Sequence, residues 1–516
     1  MRPIPMGSSC CGCTKTICTG GLQVNRRHFM AGVGSLAGGL SLSSLGASAA
    51  ESAVGEHRLP EAKTLRVQPV LIYGIPRSRP QTSWRGWGAV QTEKDVADEK
   101  SRIGKELEDL KKKAEFKVEI LPLAAIQGAG EADAIAKGDY DVLLMYASSG
   151  GLDALEKLTH PEKWTIMFVR HRSGPVYLWY EIAHNRYLRK TVDEYGQANM
   201  DCQDVVVDDY GDILWRLRAL YGLKNTLGKR IVALGNPSGW GAGGQKAPEL
   251  AQKRFKLDYV NVSYDNLGAR IKKARANDRL VKYCAQLADD YLKQDRVEMA
   301  TAKEFLANAF VLTEVIKDYL DEAQTDAFTI NSCMGTVMPI SETTACMPLS
   351  FLNDEGYQAY CESDFVVIPS GILLHHISNK PVFLNDPTYP HHGVVTLAHC
   401  TAPRKMNGEN YEPVKVLTHF ESDYGASPKV EMKIGQKITV IDPDFNFEKW
   451  LGFEGEIEGN PFYDICRSQI DVAIKGDCDK LVEETKGFHW MACYGDYLKE
   501  SQYALKKVGI DWLKIS

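Results

Sequence analysis

The segment YCESDF, residues 360–365, puts two carboxylates, Glu362 and Asp364, two positions apart and directly before a long apolar run. In an extended strand, residues i and i+2 share a face, so we expect both carboxylates to point the same way. Two like charges that lie close together are held by a cation, or one of them stays protonated. Hard divalent ions prefer carboxylate oxygen, and burial without a cation is costly. The segment therefore predicts a divalent-metal site.

Histidines are concentrated in the same part of the chain. Several lie in apolar runs, where an unpaired imidazole would need a partner. A single histidine of this kind is most often an ordinary core or surface residue, but clustering with acids favours a shared ligand group. The histidines are His375, His376, His391, His392, His399 and His489.

Three long segments of the C-terminal third resemble the L-fucose isomerase family and the similar L-arabinose isomerases. They are YCESDFVVIPSGILLHHISNKPVFLND, VVTLAHCTAPRKMNG and GFHWMACYGDYLKESQYALKKVGI, and a looser likeness extends through TSWRGWG to the N-terminal half. The resemblance implies an aldose–ketose isomerase, an intramolecular oxidoreductase that converts a pentose or deoxyhexose through an enediol. It implies a divalent ion, usually Mn²⁺, and a homo-oligomer, by resemblance a hexamer.

The resemblance also assigns roles to residues of this chain. It places a metal-binding carboxylate on Asp364, with Glu362 beside it, and a metal-binding histidine on His489. Glu362 and Asp364 are the predicted catalytic acids. The closest match to a substrate-binding histidine is His375, and His399 is expected to steady substrate hydroxyl groups. Arg404 is expected to do the same.

This chain departs from the family pattern at one metal-binding position. A second metal-binding glutamate is expected some twenty residues before the acidic motif, but the match falls on Ala345 or Cys346. Glu342 is the nearest acid that could replace it. Three hypotheses follow: an active isomerase, a degenerate isomerase-fold protein that binds carbohydrate without converting it, or a metalloenzyme in which the Cys346 thiolate favours a softer ion such as zinc.

Two glycine-rich loops follow predicted strands. In SWRGWG, Trp84 and Trp87 flank Arg85, and this combination suits a sugar ring and its hydroxyl groups. A loop anchored by buried aromatic residues is an equally good interpretation. The other loop, GNPSGWGAGGQ at 235–245, lacks the spacing of a phosphate-binding loop and favours a plain turn.

The N-terminus has the layout of an export signal. Paired arginines, Arg26 and Arg27, precede a Gly/Ala/Leu/Ser run that ends in a small-residue cleavage site at 47–49. We expect a twin-arginine signal over 1–49, the twin-arginine translocation machinery as a partner, and a periplasmic or secreted protein without a stable membrane anchor. The net charge of −6 argues against nucleic acid as a partner.

Hydrophobic periodicity predicts an α/β fold. Strand and helix patterns alternate from residue 64 to about 322, which indicates parallel sheets covered by helices. From residue 326 the chain changes to short strands and turns. We therefore predict two N-terminal α/β (Rossmann-like) domains, at 62–172 and 173–325. A mixed, β-rich C-terminal domain that carries the metal site is predicted at 326–516.

Overall fold

A computed structural model describes residues 55–188, 197 and 200–515. The predicted signal over 1–49 lies outside these residues. By its internal contacts the chain forms two compact units: a smaller unit, Glu61–Asn225 with Lys499–Gly509, and a larger unit that contains the remainder. The three predicted domain boundaries stay predictions.

A six-stranded parallel sheet forms the smaller unit. Its central strands are buried along almost their whole length, as expected where helices cover both faces. The strand order is β2-β1-β4-β5-β6, with β3 beside β1. The strands are β1 (Leu65–Ile72), β2 (Val118–Ile120), β3 (Ala124–Ile126), β4 (Val142–Ala147), β5 (Trp164–Val169) and β6 (Val205–Val207). The helices between and after them are α1 (Glu93–Lys113), α2 (Ala129–Ala136), α3 (Leu152–Leu158), α4 (Trp179–Ile182) and α5 (Tyr210–Thr226).

The larger unit begins with a second parallel sheet, of four strands in the order β11-β10-β7-β8. Its strands are β7 (Arg230–Leu234), β8 (Asp258–Val262), β10 (Ala327–Ile330) and β11 (Gln358–Tyr360). Its helices are α6 (Ala247–Phe255), α7 (Tyr264–Arg275), α8 (Asp278–Leu292), α9 (Lys303–Ala323), α10 (Met338–Ser341), α11 (Cys346–Asp354) and α12 (Ile368–Ser378). A small sheet packs beside it, formed by β9 (Val297–Met299), β14 (Val414–Leu417) and β15 (Ser427–Val430).

Six antiparallel strands of the larger unit close into a ring, because β16 pairs with β17 as well as with β19. The order around the ring is β16-β19-β12-β13-β18-β17, and β20 pairs in parallel with the first residues of β17. The elements are β12 (Phe383–Pro387), β13 (Val394–His399), β16 (Lys437–Asp442), β17 (Lys449–Gly459), β18 (Ser468–Lys475), α13 (Cys478–Glu484), β19 (Trp490–Tyr494) and β20 (Asp511–Lys514). Helix α14 (Leu498–Lys507) belongs, apart from Leu498, to the smaller unit.

One continuous hydrophobic core joins the four-stranded sheet, its helices and the closed strands of the larger unit. The predicted fold class is confirmed: parallel α/β sheets are followed by a β-rich C-terminal region. In the part of the chain that the structure describes, no helix has both the length and the apolar character needed to cross a membrane.

Candidate metal centre

The histidines and acids of the C-terminal third meet where the parallel sheet of the larger unit faces the closed strands. Glu362 and Asp364 follow the carboxyl end of β11, Asp386 lies in β12, His399 ends β13, and His489 directly precedes β19. Open parallel sheets bind ligands outside the carboxyl ends of their strands. The fold therefore brings together residues that lie more than a hundred positions apart in the sequence.

The acidic motif is a turn and not an extended strand, so that part of the sequence prediction is wrong. Strand β11 ends at Tyr360, and Glu362 and Ser363 have φ angles of +63° and +52°. The loop after β7 holds this strained backbone, because Ser238 N donates to Ser363 O at 3.1 Å and Phe365 N donates to Ser238 O at 3.0 Å. The turn still directs both carboxylates to one histidine.

Asp364 holds the His489 imidazole in place. Its Oδ2 lies 2.7 Å from His489 Nδ1, while Oδ1 accepts the backbone N–H groups of Trp240, at 3.1 Å, and Val366, at 3.0 Å. All of these groups are on the larger unit. A carboxylate that binds one imidazole nitrogen fixes the tautomer and aims the other nitrogen, an arrangement common behind metal-binding histidines. Asp364 thus acts on His489 from behind, away from the convergent ligand atoms.

The other nitrogen of His489 points at two more carboxylates. Its Nε2 lies 3.2 Å from Asp386 Oδ1 and 3.5 Å from Glu362 Oε2. Neither contact is aligned as a hydrogen bond for Nε2, and both Nε2 and Asp386 Oδ1 are buried without a hydrogen-bond partner among the described residues. Buried polar atoms of this kind are rare and call for an explanation such as an ion.

His399 completes the group from the end of β13. Its Nε2 lies 3.9 Å from Glu362 Oε1, and its Nδ1 lies 2.9 Å from Thr401 Oγ1. The ligand atoms of Asp386, His399 and His489 all lie within 4.8 Å of one another, and so do those of Cys361, Glu362 and His399. The larger unit therefore contains clusters whose residue types and spacing suit a metal ion.

The electrostatics of the centre favour positive charge. Burial lowers the pKa of His489, but the Asp364 hydrogen bond and the Asp386 and Glu362 carboxylates outweigh it, so the pKa is raised well above the usual value. Burial raises the pKa of Glu362, and Asp386 adds to the rise, although His489 and His399 oppose it. Three carboxylates face one protonated imidazole, that of His489, so they still repel one another, and a cation relieves that repulsion.

Neither Asp386 nor the role of the loop after β7, which hydrogen-bonds to the acidic turn, was identified from the sequence. Asp386 stands in FLNDP, where an acid ends a buried strand, and that placement is the signal that could have identified it. The loop 235–245 supplies Ser238 and Trp240 to the acidic turn, and the Trp240 ring stacks on Phe488 at 3.9 Å beside His489. The expectation of a plain turn there did not anticipate this role.

Three of the predicted site residues of the larger unit have other partners. Glu342 is half-exposed and forms an ion pair with Arg275. His375 lies on α12 with Nδ1 3.0 Å from Lys380 O, and burial lowers its pKa to about 4. Arg404 is fully buried, and its guanidinium donates to backbone and side-chain oxygens at 3.0 and 2.7 Å. None of the three is among the convergent ligand atoms of the described residues.

The predicted aromatic loop lies in the smaller unit. The Arg85 guanidinium lies over the Trp84 ring at 5.1 Å, and the Trp87 side chain is 65% exposed. A strongly exposed tryptophan argues against a loop that is merely anchored by buried rings. The role of the loop in sugar binding stays a prediction.

Comparison with known proteins gives no assignment. No family model matches the chain, and no curated protein matches it in sequence.

Proposed function

We propose that this protein is a divalent-metal-dependent aldose–ketose isomerase acting on a pentose or deoxyhexose. The observation that carries the proposal is the convergence of Asp386, His399, His489 and Glu362 on one buried space, with Asp364 behind His489. The same residues lie in the segments that resemble the L-fucose isomerases.

The residues present fit a metal ion. Asp386 Oδ1 and His489 Nε2 are buried and lack hydrogen-bond partners, and both face the shared space. The resemblance implies a further metal-binding carboxylate at residues 345 and 346, where this chain has none. Asp386 supplies a carboxylate to the site in its place. Imidazole and carboxylate together suit Mn²⁺, and two histidines with one carboxylate also suit Fe²⁺.

We assign the ion to Asp386, His399 and His489. When bound, it would act as a Lewis acid toward the neighbouring carbonyl and hydroxyl oxygens of the sugar. The protein's contribution is to fix these three ligands. Asp364 orients His489, and Thr401 Oγ1 lies 2.9 Å from His399 Nδ1 and orients that ring in the same way.

We assign the proton transfer to Glu362. Its carboxylate lies between the two imidazoles, and burial raises its pKa toward the range in which a carboxyl group both accepts and returns a proton. Isomerisation requires one such group, because a proton leaves one carbon of the sugar and returns to the next. The half-buried Trp240, stacked on Phe488, forms an aromatic wall beside this position.

A pair of variants tests these assignments. Asp386→Asn should lose the ion and turnover together, whereas Glu362→Gln should retain the ion and lose about 100-fold or more in kcat. The assay incubates purified protein and Mn²⁺ with a panel of pentoses and deoxyhexoses and measures aldose–ketose conversion by NMR. His392→Gln is the matched control, because His392 is an exposed histidine of the same region. Metal-loaded wild type that converts none of these sugars would refute the proposal.

The Glu342–Arg275 ion pair supports the carbohydrate-binding alternative. Glu342 is the nearest acid that could replace the missing metal-binding glutamate, and the ion pair engages it elsewhere. It predicts that sugars bind to the metal-loaded protein and are recovered unchanged, so titration calorimetry beside the NMR assay separates the two functions. We propose in addition that the protein is exported by the twin-arginine route and that it assembles as a homo-oligomer.

A further inference from the structure

Five thiols surround the metal centre. Cys361 directly precedes Glu362, and Cys400 directly follows His399. The thiols of Cys346, Cys361 and Cys333 lie close enough to interact electrostatically, and Cys346 donates a hydrogen bond to Cys400. The five cysteines, all without disulfide bonds in the structure, are Cys333, Cys346, Cys361, Cys400 and Cys466.

Cys400 and Cys466 lie just beyond the paired part of β13 and β18. The pairing of these strands ends at His399 and Ser468, so Cys400 leaves β13 where the segment that contains Cys466 and Arg467 enters β18. The backbone N–H of Arg467 donates to Cys400 Sγ at 3.4 Å, and the Cys466 thiol is itself a hydrogen-bond partner of Cys400. Two thiols in hydrogen-bond contact are near enough for a disulfide to form with a limited movement of the side chains and backbone.

Cys466 contacts a residue of the metal centre and is also accessible from solvent. Its Sγ lies 4.0 Å from Asp386 Oδ2, and the residue is partly exposed, whereas Cys400 and Cys346 are buried. An external reagent therefore reaches Cys466 first. Cys466 and Cys400 each adjoin a different proposed ligand, Asp386 and His399.

A second metal ion is a poorer explanation for these thiols. The groups of described residues compact enough to hold an ion include Cys361 but not Cys346, Cys400 or Cys466. Cys400 has three hydrogen-bond partners, Cys346, Cys466 and His419, but they do not form a group compact enough to hold an ion.

We propose that Cys400 and Cys466 form a reversible disulfide that weakens ion binding at the adjoining centre. A small-molecule disulfide is the oxidant. The Cys466 sulfur attacks it, forms a mixed disulfide and releases one external thiol, which takes the Cys466 proton. The Cys400 sulfur then attacks the Cys466 sulfur and releases the second external thiol with the Cys400 proton. Two protein thiols are oxidised, and one disulfide is reduced to two thiols.

The new bond draws two sulfur atoms from hydrogen-bond contact to about 2.0 Å. Cys400 moves with the end of β13, where His399 is the preceding residue, and Cys466 gives up its contact with Asp386 Oδ2. Displacing the supports of a ligand typically weakens metal binding by about 10- to 100-fold. The inference goes beyond the isomerase proposal, since it requires no sugar turnover.

The test treats purified protein with glutathione disulfide, alkylates the remaining thiols and maps disulfide-linked peptides by mass spectrometry. Mn²⁺ binding is measured before oxidation, after it, and after reduction with dithiothreitol. We expect a Cys400–Cys466 link and about 10-fold weaker Mn²⁺ binding, with recovery on reduction. Cys466→Ser should abolish both changes, and Cys478→Ser is the matched control because that cysteine is also partly exposed.

Peptides without this link, or a Cys346–Cys400 link in its place, would overturn the inference. A Cys400–Cys466 link with unchanged Mn²⁺ affinity would overturn the coupling to the centre. Should the reduced protein bind no Mn²⁺, the isomerase proposal fails by itself, and the peptide map still decides whether the disulfide forms.

Discussion

Two regions of the molecule bury carboxylates, and they do so in opposite ways. In the smaller unit, Arg170 follows β5 and is fully buried, and its guanidinium donates to Glu99 and Glu106 at 2.5 Å each. Tyr177 and Tyr210 donate to the same two acids at 2.7 and 2.8 Å. In the larger unit, Asp386 Oδ1 is buried 3.2 Å from His489 Nε2 and has no aligned hydrogen-bond donor among the described residues.

The comparison shows that buried acids alone do not indicate a site; their partners do. Arginine neutralises a carboxylate permanently, and a cluster that is saturated with donors serves the fold. Histidine partners leave a carboxylate cluster negative when the imidazoles are neutral. Such a cluster has room, in charge and in coordination, for a cation.

Breaking the saturated cluster should have the largest effect. Glu99→Gln leaves the Arg170 guanidinium short of one buried negative charge, so we expect a loss of about 3 kcal/mol in the free energy of unfolding. Urea denaturation followed by circular dichroism measures it. Glu119→Gln removes the half-exposed partner of Arg66 and should cost about 0.5 kcal/mol or less. Equal effects of the two variants would show that the buried Arg170–Glu99 pair stabilises the fold no more than an exposed ion pair does.

Asp386→Asn should have the opposite character. Removing the charge of Asp386 relieves its repulsion with Glu362 but also removes a carboxylate 3.2 Å from the His489 imidazole, so we expect the stability of the metal-free protein to change by about 1 kcal/mol or less. Loss of a direct ligand should weaken Mn²⁺ binding by about 100-fold or more, on the order of 2.7 kcal/mol. Denaturation of the metal-free protein and Mn²⁺ titration measure the two quantities. Marked destabilisation with unchanged binding would mean that Asp386 is structural.

Asp364→Asn should have a smaller effect on binding. The asparagine keeps the shape of the side chain but loses the charge that fixes His489 Nδ1. We expect Mn²⁺ affinity to fall by about 10- to 100-fold, less than for Asp386→Asn. Titration calorimetry of both variants gives the order. If Asp364→Asn were the more damaging variant, Asp364 would be a ligand, as the sequence first predicted.

Proton competition gives a dependence on pH. The raised pKa of His489 means that its imidazole is protonated at neutral pH without an ion, so binding must displace that proton. Mn²⁺ affinity should therefore rise by about 10-fold per pH unit between pH 6 and 7. Calorimetry in buffers of different ionisation enthalpy counts the released protons. An affinity that is flat with pH would show that His489 does not coordinate the ion.

The smallest expected effect concerns His57 of the larger unit, a histidine with a carboxylate partner at each ring nitrogen. His57 lies between carboxylates on α9, with Nδ1 2.6 Å from Asp321 and Nε2 3.2 Å from Glu314. Burial lowers the pKa of His57, but Glu314 and Asp321 together raise it by more, so the net shift is upward. Its stabilisation is full below pH 6.5 and is lost as pH rises through the folded-state pKa. His57→Ala should cost about 1 kcal/mol at pH 6 and less at pH 9, without changing Mn²⁺ binding.

Much of this could be predicted from the sequence, because periodicity and local composition carry it. The alternation of strand and helix gave the parallel sheets, and the acids and histidines of the C-terminal third pointed to one centre. The rest depends on contacts between distant segments. The turn at Glu362 exists because the loop containing Ser238 pairs with it, and the inward position of Asp386 requires β12 to pair with β19 and β13. No local pattern specifies those pairings.

The most direct test of a metal centre is elemental analysis of the protein as purified, beside an Asp386→Asn/His489→Gln variant. A metal centre at these residues predicts about one equivalent of a divalent transition metal in the wild type and none in the variant. Manganese would favour the isomerase, and zinc or iron would direct attention to other chemistry at the same residues. No metal in the wild type, or equal metal in both proteins, would show that Asp386 and His489 do not hold an ion.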